Sequence, residues 1–272
     1  MFNGLGNEAL YAAFRITSQF RLRDASAFLT KTGTAFFVTN LEGKNCIVTN
    51  RHILDAGYNE PAGKYLGAVL DSVLVEGFSA ANGDIKSVPV AQIAFDVITR
   101  SSTAKFPPDY FEDVACFIDP KVVVRRGSDA SVEFFVKHDE LADDAWIETQ
   151  LSVCDFVAFP GFPPWHDKLA GRPILRTGTI SSDPRTNYSD EPTAKGRRVA
   201  YEAFSFGGSS GSPVVTTQKG FRATGGITVT GFREAKVVGI NAGHLEGDFG
   251  THSGVSYFIK SSAILDLIDA GG

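Results

Sequence analysis

The 272-residue sequence has few cysteines and no long hydrophobic run. Cys46, Cys116 and Cys154 are widely spaced and form no Cys-x-x-Cys pair, so neither a disulfide framework nor a zinc site is indicated. No apolar run reaches the roughly 18 residues of a membrane span, and the N-terminus lacks the pattern of a secretory signal. We therefore expect a cytoplasmic protein that needs no metal or other cofactor and has no membrane partner.

Dense runs of lysine or arginine are also absent, and the formal net charge is −5. A protein that follows a phosphate backbone needs such basic clusters, so nucleic acid is not expected as a partner. Hydrophobic residues make up 43% of the chain and charged residues 21%. This is an ordinary globular composition, which argues against disorder and can support a core.

Short runs rich in Val, Ile, Phe and Thr fill most of the chain after Thr34 and are broken by Gly, Asn, Asp and Pro. These runs are TAFFVT, CIVTN, LGAVL, VPVAQIAF, VACFI, DFVAFP, KVVGINA and VSYFI. The pattern is typical of a many-stranded β barrel or sandwich. Helical spacing is found at Glu8 to Ile16 and at 261–270, so the sequence predicts an all-β protein with a short N-terminal helix and a C-terminal helix.

Three separate segments carry the residue types that serine hydrolysis of a peptide or ester bond requires. His52 directly follows CIVTN, where a loop presents side chains at a barrel surface. Asp113 precedes VACFI, so a desolvated carboxylate there could orient an imidazole. In FGGSSGSPVV, the glycines allow a sharp turn that directs the Gly208 and Ser210 amides at one site beside the Ser210 hydroxyl.

Each of these segments, taken alone, also has an ordinary interpretation. A histidine after a strand is usually incidental, an aspartate before a strand usually serves a turn, and Gly/Ser stretches are often linkers. A linker, however, does not need Pro213 and the Val-Val pair that follows it. The combination therefore favours the catalytic interpretation.

Together the segments resemble the trypsin-like (chymotrypsin-fold) serine peptidases, most closely the disulfide-free bacterial branch of high-temperature-requirement type without a peptide-binding domain. Gly208 to Pro213 matches the family pattern Gly-x-Ser-Gly-x-Pro, Thr49 to His52 matches Thr-x-x-His, and Asp113 to Ala115 matches Asp-hydrophobic-Ala. The order His, Asp, Ser matches as well. The resemblance covers roughly residues 33–268.

This resemblance implies one peptidase domain over residues 1–272, built from two six-stranded antiparallel β barrels with the site between them. The N-terminal barrel is expected at about 17–130, the C-terminal barrel at 145–260, and a helix at 261–270. A hinge between the halves is expected between Pro120 and Ala145. The long irregular region from Pro160 to Gly196 is expected to be functional or mobile.

The resemblance also implies a role for each residue of the site. His52 would be the base, Asp113 its orienting acid, and Ser210 the nucleophile, while the amides of Gly208 and Ser210 would form the oxyanion hole.

Other aspartates compete for the role of the acid. Asp96 is the second choice, and Asp109 and Asp119 are further rivals. Asp113 is preferred because Val114 and Ala115 follow it, as in the family.

Substrate recognition is expected around five residues. Phe204, six positions before the nucleophile, would lie at the floor of the specificity pocket, which disfavours basic side chains and favours small or medium apolar ones. Asn241, Ala242 and Gly243 would pair with an extended substrate. Gly254 would begin the far wall of the pocket.

The expected function is that of a regulated intracellular serine endopeptidase acting on a protein or peptide substrate. Two alternatives remain open. One is a catalytically silent fold that acts as a binding module. The other is a latent peptidase whose site is assembled only when an activating protein partner moves the loops between residues 160 and 196.

Overall fold

A computed structural model of the protein describes residues 5–23, 27–60, 63–80, 90–127, 131–193, 195–220, 231–247 and 250–270. Its helices are α1 (Glu8–Tyr11), α2 (Arg51–Leu54), α3 (Asp144–Gln150) and α4 (Ser261–Asp269). Its strands are β1 (Phe14–Arg21), β2 (Phe28–Thr39), β3 (Asn45–Thr49), β4 (Val69–Ala80), β5 (Val90–Val97), β6 (Ala115–Ile118), β7 (Val122–Arg126), β8 (Val136–Lys137), β9 (Phe156–Gly161), β10 (Ile174–Ile180), β11 (Arg198–Glu202), β12 (Pro213–Thr216), β13 (Val237–Glu246) and β14 (His252–Lys260).

The strands form two units. Strands β1 to β8 make one sheet with the order β6-β3-β2-β1-β4-β5-β7, and β8 pairs in parallel with β2. Strands β9 to β14 close into an antiparallel barrel with the order β10-β11-β14-β13-β12-β9. The all-β prediction with two terminal helices is confirmed, and the N-terminal unit is a half-barrel in the described residues.

The N-terminal helix is shorter than the predicted Glu8 to Ile16. It ends at Tyr11, and Phe14 begins β1, in which buried and less buried residues alternate. This strand pairs with β2 on one side and β4 on the other, so Phe14 and Ile16 enter the core as strand residues. Sheet pairing overrides the helical spacing here, whereas the predicted C-terminal helix at 261–270 is observed as α4.

Most of the predicted apolar runs lie in strands, with one exception. LGAVL lies largely in a turn, and only Val69 and Leu70 belong to β4. VPVAQIAF enters β5 from Val90 onward, whereas its first two residues, Val88 and Pro89, lie outside the described residues.

Strand β2 is buried on both faces over its second half. Ala35 and Phe37 pack into the core of the half-barrel, while Phe36 and Val38 pack into a second core against the barrel and α4. Successive residues of a strand point to opposite faces, so this part of β2 contributes side chains to two cores. This explains why TAFFVT is continuously apolar and does not alternate with polar residues.

Strands β3 and β6 follow the same rule beside β2. Ile47 and Phe117 belong to the half-barrel core, whereas Val48 and Cys116 belong to the second core. A third core, which includes Phe159, Tyr201 and Phe258, fills the closed barrel. The second core joins the two units and contains Ile264 and Ile268 of α4.

Polar contacts also cross between the two units. Arg197 donates to both carboxylate oxygens of Glu112, whose residue is 5% exposed, and its Nη1 donates to Asp266 of α4 at 2.7 Å. The three cysteines are unpaired. None of the helices in the described ranges is both long and apolar enough to cross a membrane.

Gly211 provides a test of the contact between the units. Its φ is +91°, and a Cβ there would lie 1.8 Å from the carbonyl oxygen of Thr34 on β2. Because the backbone conformation alone costs an alanine about 1–3 kcal/mol, we expect Gly211→Ala to lower the free energy of unfolding by at least that amount. Urea denaturation measures the change.

Gly207→Ala is the matched control in the same loop, because a Cβ at Gly207 would meet no atom within 4 Å. Its free energy of unfolding should stay within about 0.5 kcal/mol of the parent. Equal stability of the two variants would contradict the close approach of Gly211 to β2.

Candidate active site

Antiparallel pairing of β3 with β6 brings His52 and Asp113 together. Thr49, the last residue of β3, lies opposite Ala115, the first residue of β6. His52 follows Thr49 by three positions, and Asp113 precedes Ala115 by two, so both lie at the same end of this strand pair. The register therefore decides which aspartate meets the histidine.

One turn of helix holds His52 in place. His52 belongs to α2, and the next two residues, Ile53 and Leu54, are each 3% exposed and pack into the half-barrel core. Asn50 occupies the N-cap position of this helix in an extended conformation and is fully buried, and its Nδ2 donates to the backbone oxygen of Asp113 at 2.6 Å. The His52 side chain remains 25% exposed, so part of the ring is accessible.

Asp113 accepts two hydrogen bonds from His52. Its Oδ2 lies 2.6 Å from His52 Nδ1, and its Oδ1 accepts from the His52 backbone N–H at 3.0 Å. The residue is only 3% exposed. The pKa of the nearby Tyr58 phenol is raised above its usual value, mainly by burial and secondly by the negative charge of Asp113. A buried carboxylate that accepts from two donors of one residue fixes both the position and the tautomer of the imidazole.

The rival aspartates contact other groups. Asp96 accepts from Arg125, Asp109 accepts from the Phe111 N–H at 2.9 Å, and Asp119 lies near Lys121.

The loop around Ser210 is attached to its surroundings through its carbonyl groups. Thr34 Oγ1 donates to Gly208 O at 2.7 Å, and the Thr34 N–H donates to Ser210 O at 2.7 Å. Asn241 Nδ2 donates to Ser209 O at 3.0 Å. Three consecutive carbonyl oxygens are thus held by side chains and backbone of two strands. The peptide orientation of the whole loop follows from these contacts.

Unlike the three carbonyl groups, two of the backbone N–H groups of the same loop have no hydrogen-bond partner among the described residues. The Ser209 N–H closes a turn onto Phe206 O at 2.9 Å, whereas the Gly208 and Ser210 N–H groups have no hydrogen-bond acceptor among the described residues. Gly208 has a φ of +88°, and a Cβ there would lie 2.2 Å from Phe162 O. Such a φ at the third position of a turn requires glycine. Two unpaired donors therefore flank Ser209 and remain available to an anion.

The loop that carries Ser210, residues 203–212 between β11 and β12, meets α2 at Gly33. A Cβ at Gly33 would lie 2.9 Å from both Ser210 O and Ile53 Cδ1, so the two segments pack on one glycine. Within the described ranges, the Ser210 hydroxyl forms no hydrogen bond, and the Ser210–His52 bond of a complete triad is not made. Such bonds are often long without substrate and tighten in the complex.

The residues expected at the specificity pocket form an aromatic and imidazole cluster. Phe204 is 58% exposed, and its ring lies 5.0 Å from His252 and 6.4 Å from Phe206 between centroids. His252 stacks on His244 with a centroid distance of 4.3 Å. A Cβ at Gly254 would lie 3.7 Å from the Phe204 ring, so the expected floor and far wall are in contact.

The expected substrate-pairing strand is partly occupied by the loop itself. The backbone of Asn241 accepts from the Gly211 N–H and donates to Ser212 O, both at 2.9 Å. Its side chain is buried and accepts from the Tyr201 hydroxyl at 2.7 Å. Pairing with an added strand is therefore left to residues beyond Asn241, such as Ala242 and Gly243.

Sequence reasoning missed three residues of this site. Asn50 and Thr34 could have been noticed, because they directly precede Arg51-His52 and the run AFFVT, respectively. Arg176, which donates to Phe204 O and Ser209 Oγ, carried no signal beyond its place in a strand-like segment.

The assembled residues have the parts needed for acyl transfer: a hydroxyl on a constrained loop, two amide donors and an oriented imidazole. No group of three or more His, Cys, Asp or Glu side chains in the described residues could hold a metal ion. A scan against family models finds no match to this chain, and a search of curated proteins finds no match either.

The contact with Asp113 predicts the tautomer of His52. An ionised carboxylate only accepts hydrogen bonds, so Nδ1 carries the proton and Nε2 is free to accept one. We expect ¹⁵N NMR of the neutral ring to show the Nδ1–H form. In Asp113→Asn the amide can donate to Nδ1, so the Nε2–H form should increase.

His138 is an internal control for this measurement. Its Nε2 lies 2.9 Å from Asp269 Oδ2, so its neutral ring should be in the Nε2–H form in both proteins. An unchanged His52 spectrum in Asp113→Asn would contradict the observed pair.

Proposed function

We propose that the protein is a trypsin-like serine endopeptidase with Ser210 as nucleophile, His52 as general base and Asp113 as the acid that orients it. One observation carries this proposal: the carbonyls of residues 208–210 are all held by the scaffold, while the Gly208 and Ser210 amides have no acceptor among the described residues. Gly208 and Ser210 are only partly buried, so these two donors lie where a ligand oxygen could reach them. The nearby His52–Asp113 pair gives the loop a base.

The first step is acylation. Ser210 Oγ forms a bond to the carbonyl carbon of the peptide, and His52 Nε2 takes the hydroxyl proton. The carbonyl oxygen becomes an oxyanion that the Gly208 and Ser210 N–H groups bind. The bond from carbon to nitrogen then breaks, and the leaving amine takes the proton from His52. Asp113 remains ionised and stabilises the imidazolium.

The second step is deacylation by water. His52 Nε2 takes a proton from water as the oxygen attacks the ester carbon of the acyl-enzyme. The same two amides bind the second oxyanion, and Ser210 Oγ leaves with the proton that His52 returns. The products are a carboxylic acid and the free enzyme.

A latent form of the same peptidase is the second candidate, and two contacts of Ser205 favour it. Ser205 Oγ lies 3.4 Å from Gly243 O and 2.9 Å from Ser256 Oγ, so the segments expected to surround the specificity pocket touch one another. A substrate side chain would have to separate them. A protein partner that moves these segments would then act as an activator, as induced fit allows.

Fluorophosphonate labelling tests the proposed nucleophile. We expect the purified protein to be labelled, and tryptic peptide mapping to place the phosphonate on Ser210. Ser210→Ala should abolish labelling, whereas Ser212→Ala should retain it because Ser212 is fully buried. Labelling of Ser210→Ala at the parental rate would overturn the proposal.

Added cell lysate separates the two candidates. Labelling of the purified protein alone indicates a constitutively active peptidase, and labelling only after lysate is added indicates the latent form. No labelling in either condition would favour a catalytically silent binding module.

The role of Asp113 predicts a large kinetic effect. Asp113→Asn keeps the shape of the side chain but permits the wrong tautomer of His52, so kcat should fall by about 10⁴-fold with little change in KM. Asp109→Asn is the control, because an amide oxygen can still accept from the Phe111 N–H. Steady-state hydrolysis of a p-nitrophenyl ester measures both. A loss of less than about tenfold would remove Asp113 from the mechanism.

A further inference from the structure

Arg176 contacts two parts of the nucleophile loop, residues 203–212, at once. Its Nη1 donates to Phe204 O at 2.7 Å, and its Nη2 donates to Ser209 Oγ. Phe204 lies near the start of this loop, and Ser209 immediately precedes the nucleophile. The planar guanidinium can hold two acceptors at a fixed separation, which a single-point donor cannot do.

The barrel holds Arg176 from the other side. Arg176 on β10 lies opposite Phe159 on β9, and its guanidinium carbon is 4.6 Å from the centre of the Phe159 ring. Phe159 is fully buried and packs edge-on against Tyr201. The cation is therefore confined between a rigid aromatic core and the loop, a favourable cation–π arrangement.

Arg176 has no carboxylate partner among the described residues. Burial lowers the pKa of its guanidinium to about 10, and the nearby Tyr201 phenol opposes this shift. A desolvated cation needs strong acceptors, and here they are a carbonyl and a hydroxyl of the nucleophile loop. Both of the hydrogen bonds that the Arg176 side chain forms with described residues are thus to this loop.

The loop depends on such contacts because it is rich in glycine. Gly207, Gly208 and Gly211 lie within five positions, and each glycine loses more conformational entropy on ordering than other residues do. Thr34 and Asn241 hold three carbonyl groups of the loop, but in the described part of the chain neither forms a hydrogen bond with the Ser209 side chain or with Phe204. Arg176 supplies these two missing attachments.

We propose that Arg176 is a positioning residue that holds the loop 203–212 in the conformation in which the Gly208 and Ser210 amides can bind an oxyanion, an inference that rests on the proposed function. Arg176 acts through the loop and does not touch the substrate. Loss of the guanidinium should therefore weaken stabilisation of the transition state more than binding of the substrate.

Kinetics of p-nitrophenyl ester hydrolysis tests this role. Arg176→Met removes the donors at similar length, and we expect kcat to fall on the order of 10²-fold while KM changes less than about threefold. Arg176→Lys keeps the charge but reaches only one acceptor, so it should recover part of the activity. Arg172→Met is the control, because the exposed Arg172 guanidinium donates to Asp167 at 3.4 Å and has no hydrogen bond to the loop among the described residues, so kcat should stay unchanged.

Backbone dynamics test the same proposal without activity. In the parent protein, ¹⁵N relaxation should give order parameters of about 0.8 for the Gly208 and Ser210 N–H vectors, and in Arg176→Met they should fall below about 0.6. Unchanged order parameters and chemical shifts of these amides in Arg176→Met would overturn the inference.

The two proposals fail in different ways. If fluorophosphonate does not label the parent protein in either condition, the proposed function fails, and the relaxation measurement still decides whether Arg176 orders the loop. If the parent is labelled but Arg176→Met keeps its kcat, Arg176 is not a positioning residue and the peptidase proposal stands.

Discussion

The buried residue Thr34 joins the two units of the molecule at the loop that carries Ser210. Its backbone N–H and its hydroxyl both donate to carbonyls of this loop, and its own carbonyl accepts from Thr49 on β3 at 2.8 Å. The same carbonyl lies against Gly211, where no side chain fits. One residue of the half-barrel thus fixes the loop of the barrel relative to the strand that leads to His52. Both the peptide orientation of the loop and its distance from the histidine helix depend on this contact.

Most buried polar side chains in this region have a protein hydrogen-bond partner, whereas Asn50 Oδ1, Arg176 Nε and Ser212 Oγ have none among the described residues. Asp113 pairs with His52, the Asn241 side chain joins Tyr201 to the loop, and the two Nη groups of Arg176 donate to the loop. These contacts constrain backbone orientation as much as they contribute stability. The result is a loop whose carbonyls are occupied and whose amides at 208 and 210 have no acceptor among the described residues. This asymmetry is the physical basis of the proposed oxyanion site.

Most of the fold could be predicted from the apolar runs, and the predictions that were wrong have a physical cause. Strands β2, β3 and β6 were evident because burial on both faces makes their sequences continuously apolar. The predicted N-terminal helix is longer than the observed one, because Phe14 and Ile16 fit a helical spacing as well as a strand spacing. Pairing with β2 and β4 decided between the two, and such long-range pairing is not contained in a local window.

The sequence by itself determined the kinds of chemistry available and their order along the chain. His52, Asp113 and the glycine-rich loop around Ser210 could be selected because each adjoins a strand-like run with matching neighbours. Only the tertiary structure decided that Asp113, of several aspartates, meets His52, and that Arg176 and Thr34 hold the loop. The reason is that local patterns report the burial of a segment, whereas strand register and inter-unit packing decide which distant polar groups lie within hydrogen-bonding distance.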